Sequence, residues 1–451
     1  MTDLARRDLL KAALTGASAV ASGALTSAVA DAAPPPAAAP TMKNVPFERR
    51  DTVRFAIVGT GLRGRSVLSE LLAIDGVRIT ALCDIAADKA ARAAKLCADA
   101  GQPEPAVIVA GERGFEQLVK RDDVDFVYTA TPWEWHAPVM LAALANGKHC
   151  GAECPMATTL KDLWALVDAS EKARRHCLHL ENCLYGETEM LINRMVHAGV
   201  FGEIVHAEAA YLHDLRRILF EDKDEGLWRR AWHTRVNANL YPTHGLGPVS
   251  WYLDINAGDR FDYIVSVAGP HRGLELHREA TVSDRSNPKW REQYVTGDHY
   301  TSILKTVKGK TVMLQHYVGN PRPYSRHNRL QGTKGAFEDY PPRIYVEGQD
   351  GGERWTTIDS WKPRFTHPLW ANIGELARKR GGHGGMDFVM AYRLVQTIRE
   401  GLPPDYDVYD AAAWSAPFPL SAESLQRGSA PIKFPDFTRG EFSSPRMPAT
   451  A

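Results

Sequence analysis

Beyond Thr52 the chain settles into short apolar runs separated by amphipathic stretches. Residues 53–58 make one run of strand length, 65–74 space their apolar side chains as a helix does, and 77–82 form a second run that ends at Asp84. Residues 124–129 repeat the strand pattern and 137–146 the helical one. Strands alternating with helices of this length predict a doubly wound parallel sheet, and hence an α/β fold. Ahead of this region, residues 1–30 are rich in alanine, and 31–50, rich in alanine and proline at their start, form a linker. With 451 residues, 44% hydrophobic and 24% charged, the chain is long enough for two cores. The elements divide it into residues 51–180 and 181–433. A Pro- and Ser-rich tail, 434–451, is expected to pack loosely or to swap between subunits.

The first turn carries the earliest chemical signal. Gly59-Thr60-Gly61-Leu62-Arg63-Gly64 fits the pattern G-x-G-x-x-G, which alone is weak evidence. Here it follows a strand, opens a helix and precedes an acidic residue, Asp84, by about twenty positions. Glycines so placed let the backbone approach a pyrophosphate at a helix N-terminus. Asp84 can accept hydrogen bonds from the adenosine ribose, which favours NAD over NADP. The expected cofactor contacts are therefore Gly59, Gly61, Leu62, Arg63, Gly64 and Asp84. The bland alternative is a Gly-rich turn in a nucleotide-free α/β domain.

The N-terminus changes what that cofactor must do. Arg6-Arg7-Asp8-Leu9-Leu10-Lys11 puts two arginines ahead of an apolar stretch that reaches a small-residue site at Ala28-Val29-Ala30, the form of a twin-arginine export signal. Gly16 and Gly23 interrupt the stretch and Ala33-Pro34-Pro35-Pro36 cannot continue a helix, so cleavage without a retained membrane anchor is expected. Nicotinamide cofactors are not freely available in the periplasm or outside the cell. The pairing therefore implies NAD loaded before export and regenerated within each catalytic cycle. Lys+Arg 54 against Asp+Glu 54 leaves no net charge to recommend nucleic acid or an anionic membrane as partner. The six cysteines, Cys83, Cys97, Cys150, Cys154, Cys177 and Cys183, show neither a disulfide framework nor a paired zinc pattern, so they are expected buried and reduced, with no metal.

Two later segments are more specific. Thr129-Ala130-Thr131-Pro132-Trp133-Glu134-Trp135-His136, a helix, and Gly147-Lys148-His149-Cys150-Gly151-Ala152-Glu153-Cys154-Pro155 follow in order. The pattern T-A-T-P-x-x-x-H, helix, G-K-H-x-x-x-E-x-P resembles the Gfo/Idh/MocA oxidoreductase family over nearly the whole mature chain. That resemblance implies an N-terminal Rossmann domain joined to a C-terminal α/β domain built on an open, mainly antiparallel sheet, whose exposed face often pairs into dimers. It places Trp133, His136, Glu153 and Cys154 at the cofactor cleft and Asn182 at the nicotinamide ribose. One position departs. Typical dehydrogenases of the family read Glu-Lys-Pro, their lysine assisting proton transfer, where this chain has Cys154. A thiol supplies neither the charge nor the hydrogen bonds of an ammonium. Another group moves the proton, the net reaction differs, or activity is lost.

The second half narrows the choice. Residues 180–186, 206–216, 239–248, 321–326 and 382–387 form an ordered series that resembles the NAD-dependent glycosidases of glycoside hydrolase family 109, whose described activity is α-N-acetylgalactosaminidase. Tyr211 and His213 lie two apart on an alternating stretch, so a strand would present them on one face. Tyr241 and His244 sit in a loop punctuated by Pro and Gly. Such pairs relay protons, because a histidine near neutrality can depress a tyrosine's pKa or take its proton. Arg229 and Tyr324 offer a charged fork and a phenol to sugar hydroxyls. Taken singly, each Tyr or His is more often a satisfied core or surface residue. The resemblance implies Tyr211 as the base at C2 with His213 modulating it, Glu181 and His244 handling the C3 hydroxyl proton, and Tyr211, Arg229, Tyr241, His244 and Tyr324 binding the sugar. Hydride removal at C3, elimination of the C1 oxygen, water addition and hydride return would then sum to hydrolysis. An exported sugar dehydrogenase and a non-catalytic sugar or cofactor sensor are the rival readings.

Overall fold

The structure, a computed structural model, describes residues 40–349 and 352–446. The twin arginines, the Ala28-Val29-Ala30 site and the Ala- and Pro-rich first part of the 31–50 linker lie outside the described residues. Strands β1 (Val53–Val58), β2 (Val77–Cys83), β3 (Ala106–Ile108), β4 (Phe126–Thr129), β5 (His149–Ala152) and β6 (Cys177–His179) form one parallel sheet in the order β3-β2-β1-β4-β5-β6. Phe55, Ile57, Phe126 and Val127 are buried on both faces of its centre, which is why these strands read as continuous apolar runs. The order reverses between β1 and β4, so the turns after those strands diverge and open a crevice at their C-terminal ends. The helix Leu62–Leu72 begins before the apolar spacing suggests, because its first turn is the Gly-rich turn itself. The helix Trp133–Ala145 likewise starts directly after Pro132.

A second sheet joins β7 (Ile204–Leu212), β8 (Phe261–Ala268), β9 (Tyr300–Thr306), β10 (Thr311–Tyr317), β11 (Arg329–Gly332), β12 (Gly335–Glu338), β13 (Arg343–Val346) and β14 (Ile432–Lys433) in the order β13-β12-β11-β7-β10-β9-β8-β14. Only the central β7–β10 pair is parallel, so the open, mainly antiparallel sheet is present. One face buries Ala207, Ala209, Ile264, Leu304, Val312 and Leu314, while Val205, Val267 and Ile303 are exposed. The helix Thr243–Tyr252 lies so tightly on β7 that a Cβ at Gly245 would strike the Ala210 backbone. That contact brings His244 beside the end of β7.

Late segments return to the first sheet. The helix Met386–Glu400 packs against the helix Leu62–Leu72, and Arg380 bonds Glu70 at 3.0 Å. The tail is not loosely packed over its described part: Phe434 and Phe437 are buried, and Arg439 pairs with Glu171 and Asp168. Its Pro and Ser content masked two aromatic anchors. Among the described residues no helix is long and apolar enough to cross a membrane. All six cysteines are buried and unpaired.

Candidate active site

The Gly-rich turn meets the steric demands of a dinucleotide. Gly59 holds φ +83°, and a Cβ there would lie 2.8 Å from the Ala130 carbonyl carbon. A Cβ at Gly64 would strike the Gly59 carbonyl, so the helix packs directly on the turn. At Gly61 a Cβ would meet nothing within 4 Å, and no side chain caps the helix that follows. The uncapped amides thus face open space, the arrangement a pyrophosphate requires. Leu62, the first residue of that helix, is exposed. Asp84 accepts from the Thr60 amide (2.7 Å), the Thr60 hydroxyl (3.0 Å) and the Ala86 amide (2.9 Å), so its carboxylate is fixed at the end of β2 where a ribose would lie. These residues fit NAD.

The Arg63 side chain is held by two carboxylates. Its guanidinium donates to Glu153 Oε1 (2.9 Å) and to both carboxylate oxygens of Asp387 (2.7 and 3.3 Å). Glu153 is also held by the Tyr128 hydroxyl. Asp387, in the first turn of the helix Met386–Glu400, further accepts from Asn182 Nδ2 (2.6 Å) and faces His383 Nδ1 at 2.8 Å. Burial works against the Asp387 charge, but Arg63 and these hydrogen bonds hold its carboxyl well below the usual range. One acid thus ties the pyrophosphate turn to Asn182. His136 is fully buried, with its two nitrogens 2.7 and 2.9 Å from the Pro155 and Thr131 carbonyls, so it braces the cleft loops and presents no free nitrogen. Trp133 packs among Trp228, Trp232, Tyr241 and Phe418 as the floor of an aromatic cluster.

A buried polar centre lies where β5, β6 and the helix Thr243–Tyr252 converge. Glu181, fully buried, faces His244 Nδ1 (2.6 Å) through one oxygen and His179 Nε2 (3.2 Å) through the other. It also accepts from the Cys183 amide (3.1 Å) and the Cys154 thiol (3.4 Å). Burial opposes the Glu181 charge, yet the two imidazoles outweigh it and keep the carboxyl well below its ordinary value. An ionised carboxylate only accepts, so His244 donates through Nδ1 and keeps Nε2 as its free basic nitrogen. Burial also holds the His244 pKa below its usual value, which favours the neutral imidazole. Cys154, at the position of the family's lysine, is a buried thiol whose pKa burial raises far above normal, so it is no substitute for an ammonium.

Tyr211 stands beside this centre. Its hydroxyl lies 3.0 Å from His213 Nδ1, as the two-residue spacing predicts, although β7 itself ends at Leu212. Its ring lies 4.6 Å from Tyr241 and 5.6 Å from His244. Backbone bonds between Leu212 and Ser325 (2.9 and 3.0 Å) pin the next loop, setting the Tyr324 ring 5.0 Å from His213. The Arg229 guanidinium is buried, paired with Glu225, and lies 5.3 and 4.9 Å from the centroids of Trp133 and Tyr241. Of the two roles open to His213, depressing the phenol's pKa and taking its proton, the first is not seen: burial pushes the Tyr211 phenol up to about 12, with Arg229 pulling only partly the other way. His213, itself lowered by burial and by Arg229, is a neutral proton acceptor for the phenol.

The structure therefore gathers Tyr211, His213, Arg229, Tyr241, His244, Tyr324, Glu181 and Cys154 in one cluster, with Asn182 linked to Arg63 through Asp387. Sequence reasoning missed the roles of Asp387 and His179. Asp387 closes a segment of the family-like series, but its partners are 205 and 324 residues away. His179 has the look of an ordinary strand-end residue.

Comparison with known proteins agrees with this geometry. Residues 185–444 match the family model "Glycosyl hydrolase 109, C-terminal domain", and residues 53–180 match "Oxidoreductase family, NAD-binding Rossmann fold". A glycosyl hydrolase family 109 protein of Saccharopolyspora erythraea is 52% identical over 98% of this chain and 95% of its own length. One from Solibacter usitatus is 48% identical over 98% of this chain and 99% of its own. Among solved structures, a levoglucosan dehydrogenase in complex with NADH and L-sorbose shares the fold, with a TM-score of 0.66 at 16% identity, over 86% of this chain and 100% of that one. The cofactor of this Rossmann domain is NAD. Family model and near full-length relatives together show that the chain belongs to glycosyl hydrolase family 109.

Proposed function

We propose that the protein is a glycosidase that removes terminal α-N-acetylgalactosamine, or a closely related sugar, by a redox-neutral elimination and hydration. The observation that carries this reading is the pairing of Tyr211 with His213 at 3.0 Å beside a Glu181–His244 dyad at 2.6 Å, in a site where Cys154 replaces the dehydrogenase lysine. NAD held at Gly59, Gly61, Gly64 and Asp84 would supply the hydride acceptor and donor for C3 of the sugar. His244 Nε2 takes the C3 hydroxyl proton, and Glu181 stabilises the resulting imidazolium from the other side of the ring. A ketone at C3 acidifies the C2 proton. Tyr211 removes that proton and hands its own to His213, the C1 oxygen leaves, and water adds in its place. Arg229, Tyr241 and Tyr324 fix the sugar against the aromatic floor. A conventional pair of carboxylates is not needed, because C–O cleavage follows from acidity at C2.

Export through the twin-arginine route with NAD already bound completes the proposal. The test is incubation of the purified protein with an aryl α-N-acetylgalactosaminide in deuterated water. Aglycone release with deuterium at C2 and no accumulating NADH is expected. Stoichiometric NADH without aglycone would return the dehydrogenase reading, and binding without turnover the sensor reading.

A further inference from the structure

The carboxylate at the centre of the site is ringed by an unusual set of donors. Cys154 Sγ lies 3.4 Å from Glu181 Oε2 and 3.7 Å from His244 Nδ1; His179 Nε2 lies 3.2 Å from Glu181 Oε2, and His244 Nδ1 is 2.6 Å from Oε1. The donor atoms of Cys154, His179 and Glu181 all lie within 4.8 Å of one another. Four protein donors bound to one tetrahedral zinc ion stand roughly 3.3–3.7 Å apart. Two of the four separations therefore already match a metal's coordination sphere, the His179–Glu181 distance falls just short of it, and His244 joins only when its bond to Glu181 opens.

We propose that Cys154, His179, Glu181 and His244 form a binding site for a thiophilic divalent cation of the zinc class, and that its occupancy switches the enzyme off. One thiolate and one carboxylate cancel the charge of the ion while both imidazoles remain neutral, so the complex suits a buried pocket. Sulfur and imidazole ligands select zinc, cobalt or cadmium over magnesium or calcium. The spacing in the chain hides the site, because its ligands come from the loop after β5, the end of β6, the loop that follows, and the helix Thr243–Tyr252.

The binding step balances simply. The Cys154 S–H bond breaks, its proton leaves to solvent, and a sulfur–metal bond forms. Each imidazole binds through the nitrogen that now faces Glu181 and moves its proton to its other nitrogen. In His179 that nitrogen, Nδ1, is buried and has no partner among the described residues, so its N–H would go unpaired in exchange for a metal bond. His244, the one ligand whose side chain reaches the surface, at 13% exposure, marks the side from which the ion enters. A bound ion takes Glu181 and His244 away from the C3 hydroxyl. Only this inhibitory consequence rests on the proposed function.

The experiment titrates the NAD-loaded protein with cobalt(II), followed optically, and with zinc, followed by equilibrium dialysis. One metal per chain is expected, with a thiolate-to-cobalt charge-transfer band and the intense visible bands of tetrahedral cobalt. Cys154→Ser should lose the charge-transfer band and His179→Asn should lose stoichiometric binding, whereas Cys183→Ser should keep both; retained NAD reports that each variant is folded. Aglycone release should fall in step with occupancy and recover with a chelator. No band at one equivalent, or a band lost only in Cys183→Ser, overturns the site. Stoichiometric binding with undiminished hydrolysis overturns the inhibition. Because the optical signal needs no turnover, a protein that fails to hydrolyse any glycoside still decides whether the ion binds.

Discussion

Asp387→Asn should loosen the hold on NAD without unfolding the protein. In the native site Asp387 accepts from Arg63 at 2.7 and 3.3 Å and from Asn182 at 2.6 Å, so it anchors the first turn of the helix Leu62–Leu72 and the segment that follows β6. An amide of the same shape keeps one acceptor but loses the charge that Arg63 faces. Arg63 still has Glu153 at 2.9 Å, so it is weakened without being orphaned. Losing charge-assisted bonds of this kind costs about 2–3 kcal/mol. If the turn must stay docked for the cofactor to stay bound, that cost appears as roughly a 30- to 150-fold rise in the dissociation constant for NAD. The assay is the amount of NAD that remains with the protein through gel filtration and dialysis, with thermal melting as a check on folding. Wild-type protein should keep its NAD, and the variant should lose it and need added NAD for activity. A folded Asp387→Asn protein that retains NAD as firmly as wild type would refute the coupling.

Three further outcomes test other parts of the account. Tyr211→Phe keeps the ring packing but removes the proposed proton acceptor at C2, so label exchange and aglycone release should fall by about 10²–10⁴-fold with bound NAD unchanged. Gly59→Ala should lower stability by about 1–3 kcal/mol, because the residue sits at φ +83° and its new Cβ would meet the Ala130 carbonyl; Gly61→Ala should melt like wild type yet bind NAD more weakly, since its Cβ fills only the space a pyrophosphate needs. Acid should destabilise the fold well before its carboxylates protonate. Burial lowers His176 to about 4 and His233 to about 3 from an ordinary 6.5, so below pH 6.5 the unfolded chain binds the extra protons. Stability present above pH 6.5 is lost as the pH falls toward those values, by about 2 kcal/mol per histidine on reaching pH 5. Urea unfolding across that range should show the slope, and His233→Gln should flatten it by one proton.

Much of this was legible in the chain for identifiable reasons. The strands β1, β2 and β4 declare themselves because both faces of a parallel sheet are buried, and the turn after β1 is glycine because a Cβ has no room at Gly59 and Gly64. Tyr211 and His213 meet because a strand repeats every two residues. The strands β11 to β13 were not read, since each has four residues and only part of that length is buried. Asp387, Arg63 and Asn182 meet only through the docking of a helix from the far end of the chain, which no local pattern records. The direction of the Tyr211 shift was left open for a similar reason. Spacing places a histidine beside the phenol but does not report how deeply both are buried.

In the proposed cycle hydride leaves and returns while a C2 proton exchanges. The most direct measurement follows a single reaction in deuterated water, starting from protein with only its co-purified NAD, and counts aglycone released, deuterium at C2 of the free sugar and NADH formed. Many turnovers per bound NAD, deuterium at C2 in the product and no net NADH are expected. Hydrolysis with the C2 hydrogen fully retained, or NADH accumulating one for one with oxidised sugar, would contradict it.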